Sequence, residues 1–73
     1  MKEPIKLLDV VALVVAVPDK CLVVGQVGTV VEELGPGVFE VEFSDCRTGY
    51  TFATLALRAE QILPLRYAPV QAG

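Results

Sequence analysis

The sequence predicts an all-β fold, a small five-stranded barrel with a single 3₁₀ turn before its last strand. Three observations carry that reading. The stretch Gly25 to Phe43 runs through a Gly-x-x-Gly turn (Gly25, Gly28), a β-branched run (Thr29, Val30, Val31) and a Gly35-Pro36-Gly37 turn, which together describe a β-hairpin with a glycine-marked entrance. In the second arm Phe39, Val41 and Phe43 alternate with Glu40 and Glu42, so the aromatics share one face and the acids the other. Val10 to Val17 contains five valines with neither a turn residue nor a helical period, which favours a strand.

In chain order, residues 1 to 8 form a lead-in that begins polar and turns apolar at Ile5, Leu7 and Leu8, with Pro4 disfavouring an early helix. The barrel is expected over residues 9 to 65. Val10 to Val17 is its first strand, apolar on both faces: Val10 and Val14 on one, Val11, Leu13 and Val15 on the other. An uncovered apolar row of this kind marks a contact surface, unless a terminal segment covers it. Pro18, Asp19 and Lys20 make a turn, and Cys21 to Val24 cross back. Gly25 and Gly28 serve a positive φ or a close backbone approach ahead of the second strand, Val27 to Leu34. Val38 to Ser44 is the third strand, Asp45 to Gly49 a hairpin connection, and Tyr50 to Leu57 the fourth strand. Arg58 to Gln61 is one turn of 3₁₀ and Ile62 to Leu65 a brief fifth strand; residues 66 to 73 form a frayed tail.

Five short strands in this order describe a barrel of SH3-like type, and closure would remove the sticky edges of a valine-rich sheet. An OB-like barrel would need a longer helix between strands three and four, where Asp45 to Gly49 leaves no room; a small sandwich is the other alternative.

Bulk properties bound the partners. A 73-residue chain makes one domain and must pack its core densely, which 53% hydrophobic content allows. The net charge of -3 and the scatter of Lys2, Lys6, Lys20, Arg47, Arg58 and Arg66 argue against a surface that tracks a phosphate backbone. Cys21 and Cys46 are expected as two free thiols in a reducing cytosol rather than as one bridge. The N-terminal apolar run is too short for a membrane span, is interrupted by Asp9 and has no cleavage site after it, so a cytoplasmic location is expected.

Four blocks carry a resemblance: Leu7 to Leu13, Gly25 to Glu32, Val38 to Phe43 and Gln61 to Leu65. Together they resemble a bacterial family of short proteins catalogued as a domain of unknown function, DUF4926, over nearly all of residues 7 to 65. The resemblance implies an SH3-like barrel with no assigned functional residues, and an association of its members with toxins or effectors suggests an antitoxin or immunity role. Gly25 to Val30 also resembles the KOW element of ribosomal and transcription-elongation proteins, which implies RNA or ribosome binding. That element is usually set among Lys and Arg, whereas here Glu32, Glu33, Glu40, Glu42 and Asp45 surround it.

Chemistry is sparse. No histidine is present, which removes imidazole bases, His-based triads and His metal sites. Ser44, the only serine, has no base partner, and Cys21 with Cys46 is one cysteine pair short of a Cys₄ zinc site. Lys20 beside Cys21 could activate a thiolate, against the plainer reading of a loop thiol without a role. Gly25 and Gly28 precede no helix N-terminus and no Lys at P-loop spacing, so they read as turn glycines. Glu40, Glu42 and one of Glu32 and Glu33 should converge on a flat strand face, as a solvated face, a docking surface for a basic protein, or an acid pair able to act on a substrate or a hard cation. Tyr50 and Phe52 should point one way, Phe52 into the core and Tyr50 at a rim. The chain is thus expected to be a non-enzymatic protein-binding module without cofactors, forming a homo-oligomer, a dimer for choice, or docking on a cognate protein. Val11, Leu13, Val15, Glu32, Glu40, Glu42 and Tyr50 are its candidate contact residues; the alternative is a KOW-like nucleic-acid module.

Overall fold

A computed structural model of the chain describes residues 5–45 and 47–66, with the backbone alone at Phe52. Its elements are β1 (Val10–Leu13), a 3₁₀ turn (Pro18–Lys20), β2 (Val27–Gly35), β3 (Val38–Ser44), β4 (Thr51–Arg58), a second 3₁₀ turn (Ala59–Gln61) and β5 (Ile62–Pro64). All strand pairs are antiparallel and form one sheet in the order β4-β3-β2-β1-β5. The all-β reading, the five strands and the 3₁₀ turn ahead of the last strand therefore hold. The ring does not close by hydrogen bonds, and β4 and β5 remain the two edges of an open sheet. The second 3₁₀ turn explains this, because it carries the chain away from β4 and hands a three-residue β5 to β1.

One face of the sheet is the core. Val11 and Leu13 from β1, Val30 from β2, Phe39, Val41 and Phe43 from β3, Leu57 from β4 and Ile62 from β5 are all buried, joined by Leu22 from the connection between β1 and β2. Ile5 packs against this cluster from the lead-in. Because no second layer of regular structure among the described residues lies over that face, the sheet has to bend round its own apolar side chains. Irregularities in the ladders at Val31, Leu34 and Phe52 sharpen twist and permit the bend.

The two entrance glycines do different work. Gly25 has φ of 93°, a conformation a side chain would strain, and stands in open space. Gly28 has no such φ, but a Cβ there would lie 2.8 Å from Phe43 Cδ1, Phe43 Cε1 and Val41 Cγ1. The β2–β3 turn sets Pro36 before Gly37, whose φ is 72°, the residue order of a type II turn.

The first strand is shorter than its valines suggest. Ala12 already pairs with Val27, the first residue of β2, so nothing remains in β2 for Val14 to Val17 to pair with. Val14 donates its N–H to Gln61 O, and Val17 turns to a bridge with Leu22. Strand propensity is expressed only as far as a partner exists.

Candidate functional site

The outer face of the sheet is built by the strand registers. Glu42 stands opposite Thr29 on β2 and Thr54 on β4, while Glu40 stands opposite Glu32 and Ala56. Plain alternation from the buried Val30 would turn Glu32 inward. The extra residue Val31 shifts the pairing by one, so Val30 meets Val41 but Glu32 meets Glu40, on the outer face. Glu33 is thereby paired with Phe39, and its side chain is exposed beyond the core. Of the two acids that could have joined Glu40 and Glu42, the bulge selects Glu32.

Two carboxylates directly across a ladder repel one another. No ion pair ties Glu32, Glu40 or Glu42 to a cation among the described residues, where the ion pair present is Arg47 to Asp45 at 3.2 Å. Glu40 and Glu42 are half-buried and Glu32 is exposed, so the three form a ridge rather than a pocket. Among the described residues no group of three or more acids or cysteines is placed to hold a metal ion.

Beside the ridge the same outer face becomes apolar. Ala12 pairs with both Val27 and Leu63, which are 47% and 50% exposed. Further exposed apolar residues lie off the sheet, among them Leu7, Leu8, Val23 and Val24. Leu8 is 69% exposed and held at φ of 70°, a conformation unfavourable for a branched aliphatic residue. It is fixed there by its N–H bond to Val30 O and by a turn in which the Lys6 N–H donates to Asp9 Oδ2. None of these residues stood out in the sequence, where Leu7 and Leu8 read as lead-in; the adjacent leucines before a turn-forming Asp9 were the available signal.

The candidate contact residues therefore divide. Glu32, Glu40 and Glu42 come together. Val11 and Leu13 are 0% and 1% exposed and belong to the core, which corrects their reading as contact residues. They face inward because the registers set Val11 opposite the buried Gly28 of β2 and Leu13 opposite the buried Ile62 of β5, which puts the odd-numbered residues of β1 on the core face. Val15 is exposed but lies past the end of β1. Tyr50 is 78% exposed at the rim, one residue before β4, and its backbone O accepts from the Asp45 N–H. The pairing of Phe43 with Ala53 and of Ser44 with Thr51 makes Phe52 an extra residue in the ladder. The Phe52 side chain, Cys46 and residues 67–73 of the tail lie outside the described part.

The β3–β4 connection is organised by Asp45. Its carboxylate accepts from the Arg47 backbone N–H at 2.8 Å and from the Arg47 guanidinium, and its carbonyl accepts from Thr48 and Gly49. The Arg47 side chain first, and its backbone N–H second, hold the Asp45 carboxyl below the ordinary carboxylate range. A depression of about 620 Å³ lies between this turn and the segment Val23 to Val27, with the exposed Cys21 thiol on its wall. No carboxylate of the ridge lines it. Ser44 Oγ lies 3.5 Å from Thr51 Oγ1, and no titratable base is within its hydrogen bonds.

The family model described as "Domain of unknown function (DUF4926)" matches residues 7–64. No curated protein and no solved structure matches the chain. No helix of the described residues is long and apolar enough to cross a membrane.

Proposed function

The chain belongs to the DUF4926 family, a domain of unknown function, and from that premise we propose that it is a non-enzymatic module that docks on a more basic protein through the outer face of its sheet. The observation that carries this reading is the bulge-directed pairing of Glu32 with Glu40. Like charges set directly opposite cost stability, and a fold gains nothing from them by itself. A cationic partner removes that repulsion on binding, and opposite charges speed the encounter. The apolar residues beside the ridge, Val27 and Leu63, supply the area that a ridge of charge alone lacks. Nucleic acid fits poorly, since its phosphates would face carboxylates. An antitoxin or immunity role is one form such docking could take.

The test is binding to the protein that accompanies the chain in its native cell, measured by titration calorimetry across salt concentrations. Affinity should fall as salt rises, and Glu32→Lys with Glu40→Lys should weaken binding roughly a hundredfold while leaving the fold intact. Undiminished binding by that double variant, or salt-independent binding, would refute the ridge as the docking surface. A salt-dependent gel shift of RNA by the wild-type chain would favour the KOW-like alternative.

A further inference from the structure

We propose that the β4 edge pairs with the β4 edge of a second copy, forming a two-fold antiparallel seam centred on Leu55. The proposal goes beyond docking through the outer face and uses a different surface. It starts from where the backbone groups of the two sheet edges point.

Ala59 donates its N–H to Gly37 O, immediately beyond the Val38–Arg58 pair. In an antiparallel ladder, hydrogen-bonded pairs alternate, so Leu57, Leu55 and Ala53 turn their N–H and C=O toward β3. The even-numbered residues turn theirs toward the edge. Arg58 agrees with this parity, because its N–H points away from β3 and is capped by Gln61 Oε1 at 2.7 Å. At the other end the extra residue Phe52 disturbs the ladder. Between these two limits Thr54 and Ala56 present N–H and C=O groups with no partner among the described residues.

The β5 edge is different. Leu65 donates to Val10 O and Val14 donates to Gln61 O, so Gln61, Leu63 and Leu65 face β1. Of the residues left facing outward, Ile62 has its N–H bonded to Ala59 O, and Pro64 has none. The β5 edge therefore offers acceptors and no donor. An edge needs both to extend a sheet, and of the two outermost strands only β4 has both.

A second copy is the occupant that the edge itself specifies. Two β4 strands running antiparallel about Leu55 place Thr54 of each opposite Ala56 of the other and close roughly four backbone hydrogen bonds. Leu55, half-buried on the core side, meets its counterpart in the closely spaced non-hydrogen-bonded position. Residues 48 to 57 carry no charge, so two chains of net charge -3 can approach along this line. Arg58 is the one charged residue of β4. With strands about 4.8 Å apart, its Cα lies roughly 12 Å from that of the second copy's Glu42, within reach of the two side chains. Charge thus favours the antiparallel register in which each arginine comes within reach of Glu42 of the other chain, the one acid of the ridge that the seam uses.

The contact is short, so pairing is expected at roughly 100 µM protein and above, measured by sedimentation equilibrium on the full chain. Thr54→Pro, which removes an edge donor and leaves the β3 ladder intact, should raise the dimer dissociation constant at least about tenfold with an unchanged circular dichroism spectrum. Thr54→Lys with Ala56→Lys sets like charges across the seam and should abolish pairing, whereas Thr54→Glu with Ala56→Lys sets opposite charges in the same places and should restore it. A wild-type chain that stays monomeric at millimolar concentration overturns the proposal, as does equal dimerisation of the two charge variants. Binding of an extended segment of another protein along β4 of a monomeric chain overturns it as well. The Glu32→Lys, Glu40→Lys variant should dimerise normally, so loss of docking and loss of pairing are separable.

Discussion

Gly28→Ala should destabilise the fold and Gly35→Ala should not, although the two substitutions are chemically identical and both fall within β2. At Gly28 the added Cβ would stand 2.8 Å from two ring carbons of Phe43 and from Val41 Cγ1. Non-bonded carbons settle at about 3.5 to 4.0 Å, so each contact is short by most of an ångström. Both neighbours are fully buried, and neither can swing into solvent to make room. Overpacking of this kind costs about 1 to 3 kcal/mol. Restricting the unfolded chain returns about 0.4 to 1 kcal/mol of that. The expected net loss is about 1 to 2 kcal/mol, a large part of the roughly 4 to 10 kcal/mol available to a domain of this size. At Gly35 nothing lies within 4 Å of the added Cβ and no positive φ is present, so only the unfolded-state term remains and the variant should gain up to about 1 kcal/mol. Urea denaturation with matched m-values reads both. Adding Phe43→Leu to Gly28→Ala should cost less than the sum of the two single substitutions, since the smaller side chain vacates the space that the methyl needs. Equal stability of the two glycine variants, or strict additivity with Phe43→Leu, would mean that the ring does not rest on Gly28.

Other perturbations separate core, ridge and turn. Phe43→Ala should cost about 3 to 5 kcal/mol by urea melt and Glu42→Ala little, because one side chain is fully buried and the other faces outward; equal losses would reverse the assignment of the faces. Asp45 has a depressed pKa in the folded state, so its contribution is present above its ordinary value of 3.8 and fades as pH falls through the lower folded value. Thermal melts of the wild type and Asp45→Asn should therefore converge as the solution is acidified below about pH 4 and diverge above it. Leu8→Gly relieves an unfavourable φ and removes an exposed side chain, so stability should hold or rise by up to about 1 kcal/mol; a loss greater than that would show that the leucine packs on the fold.

Much of the fold was legible because the residues concerned answer to local rules. Phe39, Val41 and Phe43 alternate with acids and do point inward, and Gly25 and Gly28 signalled the two constraints that glycine answers, one a left-handed φ and the other a close ring. Pairing was less legible. Nothing in Val10 to Val17 says that β2 begins only at Val27, so the expected strand overran its partner by four residues. The bulge at Val31 was equally hidden: a period of two continued from Val30 sends Glu32 inward, and only the register with β3 brings it beside Glu40. Val11 and Leu13 looked like a spare apolar row because both faces of the segment are apolar and only its registers with β2 and β5 decide which of them is the core. The edge chemistry is topological too, since Pro64 blocks an edge only because β5 has β1 on one side and no described strand on the other.

Pro64 and the Ile62 amide, already bonded to Ala59 O, have a bearing on how far molecules of this kind can aggregate. Growth of a cross-chain ribbon needs every subunit to accept neighbours on its left and on its right, as in a fibre. A subunit that can be joined along one border alone terminates whatever it joins, so a stacked polymer of native subunits has no second border from which to propagate. The valine-rich composition that would make an unguarded ribbon hazardous at high concentration is in this way made compatible with a finite particle.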